Sequence, residues 1–336
     1  MPTYGLYVTN DRFMEAVVKV NVTFDINKAR LVHLDWVLRI EGLLDRSETS
    51  QVFSLPSYQD CELGLWLHGE GRVKYRQYPD IRNLAIEHRR FHQAVEHMLQ
   101  AIREGNHNKT QDLLNSARHV SKDIVYLLTL LELKTVEQHY QRQLGGGVLA
   151  FLDRWLSPDS NWLEPPKVRE ANPAVDLTYA RLAHLRWSSR LDRKFRNFGS
   201  GVALQAHDKC DFGSWIQGPG KHKYADLPEI MILDTVHKSF HEAAARIIHD
   251  LQYRQFQKAD EAYADVQNLS REISWLLTVL EYRLNPHWSA SEGSAGLGRP
   301  LQEEAVVTNG QSEVTLPVYQ TSPIMSAARD LVGGNG

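Results

Sequence analysis

The sequence reads Cys61-Glu-Leu-Gly-Leu-Trp-Leu-His-Gly-Glu-Gly71 and, 149 residues later, Cys210-Asp-Phe-Gly-Ser-Trp-Ile-Gln-Gly-Pro-Gly220. Both segments fit one pattern, in which a cysteine is followed by an acidic residue, Leu or Phe, a glycine, a tryptophan and finally Gly-x-Gly. A shared pattern at a fixed offset is typical of an internal repeat, so the flanking sequence should repeat as well.

Three further blocks of sequence repeat. His88-Arg-Arg-Phe-His92 corresponds to His237-Lys-Ser-Phe-His241, and the stretch 121–132 corresponds to 270–281, both at the same offset of 149 residues. Upstream, Ala29-Arg-Leu-Val-His-Leu-Asp-Trp36 corresponds to Ala180-Arg-Leu-Ala-His-Leu-Arg-Trp187 at an offset of 151 residues. The two offsets differ by a two-residue deletion between the first helix and the cysteine. The chain is therefore predicted to be two copies of one domain.

Apolar residues recur every three or four positions through both copies, which predicts amphipathic helices. A short helix is expected after each cysteine, and the long helices are expected near 26–46, 80–104, 108–140, 177–198, 228–251 and 255–284. Asp25 and Asp176 are expected to cap the first long helix of each copy. Pro79 and Pro228 suit a first helical turn, and Gly105 suits a helix end.

Three long helices and one short helix per copy predict an all-α protein made of two tandem four-helix bundles. Glycine and proline are frequent between the copies, and helical periodicity is lost towards the end of the chain, where we expect a flexible, disordered tail. The predicted segments are an N-terminal arm at 1–24, a first bundle at 25–142, a linker at 143–174, a second bundle at 175–285 and the tail at 286–336.

Composition excludes several classes of protein. The net charge is −3, so no strong field favours nucleic acid or anionic lipid. No apolar stretch approaches the roughly 20 residues that a membrane-spanning helix needs, and no signal peptide is visible. The two cysteines are too few for a disulfide scaffold. We expect a soluble, cytoplasmic protein with no membrane span and no nucleic-acid partner.

The histidines and cysteines predict metal sites. Two histidines four residues apart share one helix face and can bind one metal ion, although such pairs are also common without a metal. Here a cysteine precedes the pair by 27 residues in both copies, and a further histidine lies on the first helix. The predicted ligand sets are His33, Cys61, His88 and His92 in the first copy, and His184, Cys210, His237 and His241 in the second. The nine other histidines do not recur at the matching position. Three imidazoles and one thiolate suit tetrahedral Zn²⁺.

Other repeated residues have simpler interpretations. The tryptophans of the repeated blocks are expected to pack in the core around the site. The glycines after each cysteine are explained by turn geometry, since no phosphate-loop motif follows them. Two acidic and two basic residues at matching positions are interpreted as helix caps and surface ion pairs: Asp25, Asp176, Arg30 and Arg181.

These motifs resemble the chemoreceptor zinc-binding (CZB) domain family. The family pattern is H-x-x-W on the first helix, C-x-[L/F]-G-x-W at the short second helix, and H-x-x-F-H on the next helix. All three motifs occur twice, and the resemblance covers about 25–140 and 176–284. It implies a four-helix bundle in which three histidines and one cysteine hold zinc. Family members usually form homodimers beside bacterial chemoreceptor signalling regions or diguanylate cyclase domains, where they respond to zinc or to oxidants such as hypochlorous acid.

The chain departs from that family pattern in two ways. It has no receptor coiled coil and no GGDEF motif of a cyclase, and it carries two bundles in one polypeptide, which could reproduce the family's dimer internally. We therefore expect a pseudo-dimer within one chain that is a monomer in solution. Its partner is expected to be a protein of a chemotaxis or cyclic-di-GMP signalling pathway.

The function expected from the sequence is that of a non-catalytic zinc-binding sensory or regulatory protein with two Zn²⁺ per chain. Its input is either the zinc level or an oxidant that attacks the zinc-bound cysteine. No catalytic motif is present, and four protein ligands leave no position for a catalytic water. Two alternatives remain: a metal-dependent enzyme with a zinc-activated water, and a hemerythrin-like di-iron bundle, although that chemistry needs carboxylate ligands.

Overall fold

A computed structural model describes residues 24–45, 55–143, 173–196 and 204–285. These residues form helices joined by turns, and they contain no strand, so the predicted all-α class is confirmed. The predicted N-terminal arm, apart from its last residue, lies outside the described residues. Nearly all of the predicted linker and all of the predicted tail also lie outside them.

The long helices match the sequence prediction to within a few residues at each end. The first copy consists of α1 Phe24–Asp45, α2 Glu62–His68, α3 Glu70–Lys74, α4 Asp80–Arg103 and α5 His107–Gln143. The second copy consists of α6 Pro173–Arg196, α7 Asp211–Trp215, α8 Lys221–Tyr224, α9 Pro228–Gln252 and α10 Phe256–Leu284. Between α7 and α8 the chain forms one π-helical turn, Ile216–Gly220, which contains Pro219.

The turn after the second long helix is built differently in the two copies. Gly105 has φ of +69°, and its amide donates to the carbonyl of Ile102, as in a helix end closed by a left-handed residue. The matching residue of the second copy is Arg254, which has φ of 55°. A left-handed residue costs little when it is glycine and about 1 kcal/mol or more otherwise. The predicted helix end at Gly105 is confirmed.

The described residues fall into two compact units. One comprises residues 24–45, 55–143, 173–183 and 274–285, and the other comprises 184–196 and 204–273. We call them the first and the second unit. The first predicted ligand set lies in the first unit, and the second predicted set lies in the second unit.

Two arginines and two glutamates form a buried cluster in the first unit, which is a correction to the sequence analysis. Arg30 and Arg181 are at most 1% exposed, so the prediction that they form surface ion pairs is wrong. Arg30 Nη1 lies 2.8 Å from Glu132 Oε2, and Arg181 Nη1 lies 2.7 Å from Glu281 Oε2. Cross-contacts of 3.9 Å join each arginine to the other glutamate. Each repeat contributes one arginine and one glutamate, so the buried charges neutralise one another.

The two aspartates expected to cap helices also have other roles. Asp25 lies inside the first turn of α1 because the helix begins at Phe24, and Asp176 lies in the first turn of α6, which begins at Pro173. The N-cap prediction is therefore wrong for both. Asp25 accepts hydrogen bonds from the Trp66 indole at 3.3 Å and the Tyr75 hydroxyl at 2.8 Å. It thereby ties the first helix to the segment that follows the cysteine.

Candidate metal centre

Each cysteine is the N-cap of the short helix that follows it. Cys61 has φ of −70° and ψ of 160°, and its Sγ accepts a hydrogen bond from the Gly64 amide at 3.3 Å. Cys210 has nearly the same backbone angles, and its Sγ accepts from the Gly213 amide at 3.2 Å. The free amides and the dipole at a helix N-terminus stabilise negative charge, so this position favours a thiolate.

The glycine of the C-x-x-G motif is required by a close approach of two backbone segments. A Cβ on Gly64 would collide with the carbonyl oxygen of Tyr58, and a Cβ on Gly213 would collide with the carbonyl oxygen of His207. This position therefore requires glycine because of packing. Its φ lies outside the left-handed region, so the backbone conformation would accept other residues. The absence of a side chain lets the turn before each cysteine lie directly against the short helix.

The histidine pairs on α4 and α9 bring their ring nitrogens to the cysteine sulfurs. Cys61 Sγ lies 3.2 Å from His88 Nε2 and 3.5 Å from His92 Nε2. The three ligand atoms lie within 4.8 Å of one another, and all three residues are buried. In the second unit Cys210, His237 and His241 form an equivalent buried group. Cys210 Sγ lies 3.4 Å from His237 Nε2.

This geometry fits a zinc ion. Zn–S and Zn–N bonds of about 2.3 and 2.0–2.1 Å at tetrahedral angles place the sulfur and nitrogen roughly 3.5 Å apart. The sulfur–nitrogen distances of 3.2 to 3.5 Å are close to that value. His241 Nδ1 lies 3.1 Å from the Gln205 carbonyl oxygen, while its buried Nε2 has no hydrogen-bond partner. A backbone carbonyl that accepts a hydrogen bond from one ring N–H keeps the proton on that nitrogen and leaves the other nitrogen free to bind a metal.

The predicted fourth ligands lie farther from the group. His33 and His184 are buried, and the centroid of each ring lies 6.5 Å from that of the first histidine of its pair. Their Nε2 atoms contact serine hydroxyls of the last helix, Ser121 at 2.7 Å and Ser270 at 2.9 Å. The structure brings the cysteine and two histidines of each set together, and metal binding by all four residues stays a prediction.

Burial keeps the candidate histidines neutral. Desolvation is the largest cause in each case and lowers the pKa to about 3 for His88, 4 for His92, 2 for His237 and 4 for His241. The same effect lowers the pKa of His184 to about 3 and that of His33 well below its usual range. Neutral imidazole is the form that binds metal ions, so these side chains are in the correct state at pH 7 without any proton loss.

Burial has the opposite consequence for the thiols. It raises the pKa of Cys61 and raises that of Cys210 to about 12, outweighing the hydrogen bonds from the helix amides. Both thiols therefore carry their proton at neutral pH when no cation is bound. A zinc ion supplies the positive charge that makes the thiolate stable.

The tryptophans of the motifs are buried or half-buried. Trp215 is fully buried, as predicted for a core residue, and Trp187 packs on the His241 ring with centroids 4.4 Å apart. The Trp36 indole donates to a Glu62 carboxylate oxygen at 3.0 Å. The sequence analysis did not predict the serine contacts of His33 and His184. The available signal was that Ser121 and Ser270 occupy the same position of a repeated block.

A family model of the chemoreceptor zinc-binding domain matches residues 33–99 and again residues 184–248. The chain carries two chemoreceptor zinc-binding domains. Each CZB match begins at the first-helix histidine and includes all four predicted ligands of its copy. Searches of curated proteins and of solved structures returned no match. Within the described ranges, no helix combines the length and apolarity needed to cross a membrane.

Proposed function

We propose that this chain is a non-catalytic, cytoplasmic zinc sensor or regulator that binds two zinc ions and signals to a protein partner. One ion is held by His33, Cys61, His88 and His92, and the other by His184, Cys210, His237 and His241. The proposal rests on one observation above all: two buried Cys-His-His groups lie at matching positions of the two CZB domains.

Zinc stoichiometry tests the proposal directly. The full chain, purified without chelators, is expected to carry two zinc ions, as measured by elemental analysis. Cys61→Ser is expected to lose the first ion and keep the second, because each group lies in its own unit. Substituting an exposed histidine such as His107 by Gln should leave the count at two. One zinc or none in the wild-type protein would contradict the proposal.

The input is either the zinc concentration or an oxidant. Hypochlorous acid converts a thiolate into a sulfenic acid and releases chloride, and a sulfenic acid is a poorer zinc ligand. Cys61 and Cys210 are at most 3% exposed, so an oxidant must reach a sulfur that the helices largely cover. Oxidant titration with a chromogenic chelator separates the two inputs. Zinc release at near-stoichiometric oxidant indicates an oxidant sensor, and retention in large excess indicates a zinc-level sensor or a purely structural zinc.

The output is proposed to pass through a protein of a chemoreceptor or cyclic-di-GMP pathway. The CZB domain is a chemoreceptor-associated domain by its family description. Capture of partners on the tagged full chain, with zinc present and after zinc removal, is expected to give a zinc-dependent set. Because both CZB copies are in one polypeptide, we also expect a monomer in light scattering, whereas a dimer would indicate pairing between chains.

An enzyme is the second candidate, and one observation favours it. Three candidate ligands lie together in each site, whereas the ring centroid of the first-helix histidine His33 lies 6.5 Å from that of His88. Catalytic zinc sites have three protein ligands and one open position. His33→Ala separates the two readings. A closed sensory site should lose zinc affinity in this variant, whereas an open catalytic site should keep its zinc. A di-iron centre is disfavoured because the Cys-His-His groups found among the described residues include no carboxylate.

A further inference from the structure

The turn before Cys210 places a third histidine ring beside the second Cys-His-His group. The ring centroid of His207 lies 6.4 Å from that of His237 and 6.5 Å from that of His241. His184, the predicted fourth ligand, has its ring 6.5 Å from that of His237. By distance, His207 is therefore as close to the group as the predicted ligand is.

The backbone of His207 is held against the site. Its carbonyl oxygen accepts from Cys210 Sγ at 3.5 Å and abuts Gly213 at the start of α7. Two imidazoles on one zinc ion have ring centroids roughly 5 Å apart, so the ring would have to approach by about 1.5 Å. His207 is only half-buried, so rotation about its χ1 and χ2 angles can supply that movement without shifting the backbone.

The first copy has no histidine at the position that matches His207. The residue at the matching position is Tyr58, whose ring packs against His68 at 6.2 Å between centroids and lies 5.5 Å from the Arg89 guanidinium carbon. A phenol that must lose its proton to coordinate is a much poorer zinc ligand at neutral pH than an imidazole. The two sites therefore differ in what they can offer a metal once the cysteine ligand is lost.

We propose that His207 is a reserve ligand of the second metal centre, which binds zinc in place of Cys210 when that thiolate is lost. The first centre has a tyrosine in place of this histidine. The second centre then retains zinc under conditions in which the first releases it, and the two CZB copies are not interchangeable. This inference rests on the zinc binding proposed above.

The test compares the two cysteine variants of the full chain. Cys61→Ala and Cys210→Ala are loaded with zinc and titrated with a chelator that reports on the remaining metal. Cys61→Ala is expected to retain only the tight second site. Cys210→Ala is expected to retain the tight first site and a weaker second site. Zinc at that weaker second site should bind about tenfold more tightly than any residual zinc at the first site of Cys61→Ala.

A second substitution assigns the weaker site to His207. In Cys210→Ala, the added change His207→Tyr introduces the residue of the first copy and should abolish the weaker site. The exposed His222→Gln in the same background is the matched control and should leave it unchanged. The reciprocal protein, Cys61→Ala with Tyr58→His, should gain a weaker first site.

The absorption spectrum of bound Co²⁺ identifies the ligands of each site. Cys210→Ala loaded with Co²⁺ should show the sulfur-to-cobalt band of one thiolate site together with ligand-field bands of two sites. Suppose that the wild-type protein binds two zinc ions. Equal loss of zinc from Cys61→Ala and Cys210→Ala, or no effect of His207→Tyr, would then overturn the reserve-ligand proposal alone. A wild-type protein without zinc would instead overturn the proposed function as well.

Discussion

His33 Nε2 lies 2.7 Å from the hydroxyl oxygen of Ser121, and both residues are buried. This contact occupies one nitrogen of the ring and leaves Nδ1 as the nitrogen available for a metal. The serine therefore fixes the orientation of the predicted ligand, in the way that outer hydrogen bonds orient metal-binding histidines. Ser270 makes the same contact with His184 at 2.9 Å.

Ser121→Ala is accordingly expected to weaken zinc binding at the first site by roughly 10- to 100-fold, the usual effect of losing such a partner. Chelator competition measures the change, and the second site of the same protein is the internal control. Ser270→Ala should affect only the second site. Unchanged affinity in both variants would show that the first-helix histidines do not bind the metal.

Zinc binding is expected to release about one proton per site at pH 7, because the thiols are protonated and the histidines are neutral in the metal-free protein. The raised pKa values of the cysteines and the lowered values of the histidine pairs together require this result. Calorimetry in buffers of different ionisation enthalpy counts the protons. Cys61→Ser should remove one proton from the total, whereas two or more protons per site would mean that histidines also lose protons.

The metal-free protein is expected to lose stability as the pH falls below about 6.5. The six candidate histidines have folded-state pKa values below their usual 6.5, so the unfolded chain binds protons that the folded chain does not. The contribution of these histidines to the free energy of unfolding is complete above pH 6.5. It is lost progressively as the pH falls towards their lower folded-state pKa values. Each histidine contributes at most about 1.4 kcal/mol per pH unit.

Urea unfolding at a series of pH values checks this dependence. The urea midpoint should be constant above neutrality and fall steadily in mild acid. Replacing the exposed His107 by Gln should leave the profile unchanged. A midpoint that stays constant down to about pH 5 would contradict the assignment of these histidines as buried and neutral.

Gly213→Ala is expected to displace the turn that carries His207 from the short helix and to weaken zinc binding at the second site. The new methyl group would collide with a backbone carbonyl, and overpacking of this kind costs about 1–3 kcal/mol. Gly42→Ala is the matched control, because nothing lies within 4 Å of the position its Cβ would occupy. In the helix α1 that substitution should stabilise the protein by about 1 kcal/mol or less. Thermal unfolding and chelator competition give the two readouts.

Arg30→Met is expected to destabilise the first unit by about 3–5 kcal/mol, because Glu132 would keep a buried charge without its closest partner. Arg39→Met removes a partly exposed ion pair with Asp35 and should cost about 1 kcal/mol or less. The free energy of unfolding in urea distinguishes the two variants. Similar small losses in both would show that the buried arginine is solvated or compensated by other groups.

Local patterns were sufficient to predict the repeat, the helices and the residues of the Cys-His-His group in each copy. Helical periodicity is a property of neighbouring residues, and two histidines four residues apart on one helix face are brought together by the helix itself. The cysteine could be added because its 27-residue separation from the histidine pair recurs in the second copy. Repetition within the chain thus supplied the information that a single copy lacks.

Contacts between residues far apart in the chain decided the rest. Arg30 and Glu132 are 102 positions apart, and neither residue type predicts burial; only the packing of helices shows that each neutralises the other. His33 meets Ser121 across 88 positions. His207 occurs in one copy alone, so repetition could not identify it, and its place beside His237 and His241 depends on a turn packed against a glycine. Periodicity predicts which face of a helix is buried, but the identity of the side chains that meet there depends on how the helices pack.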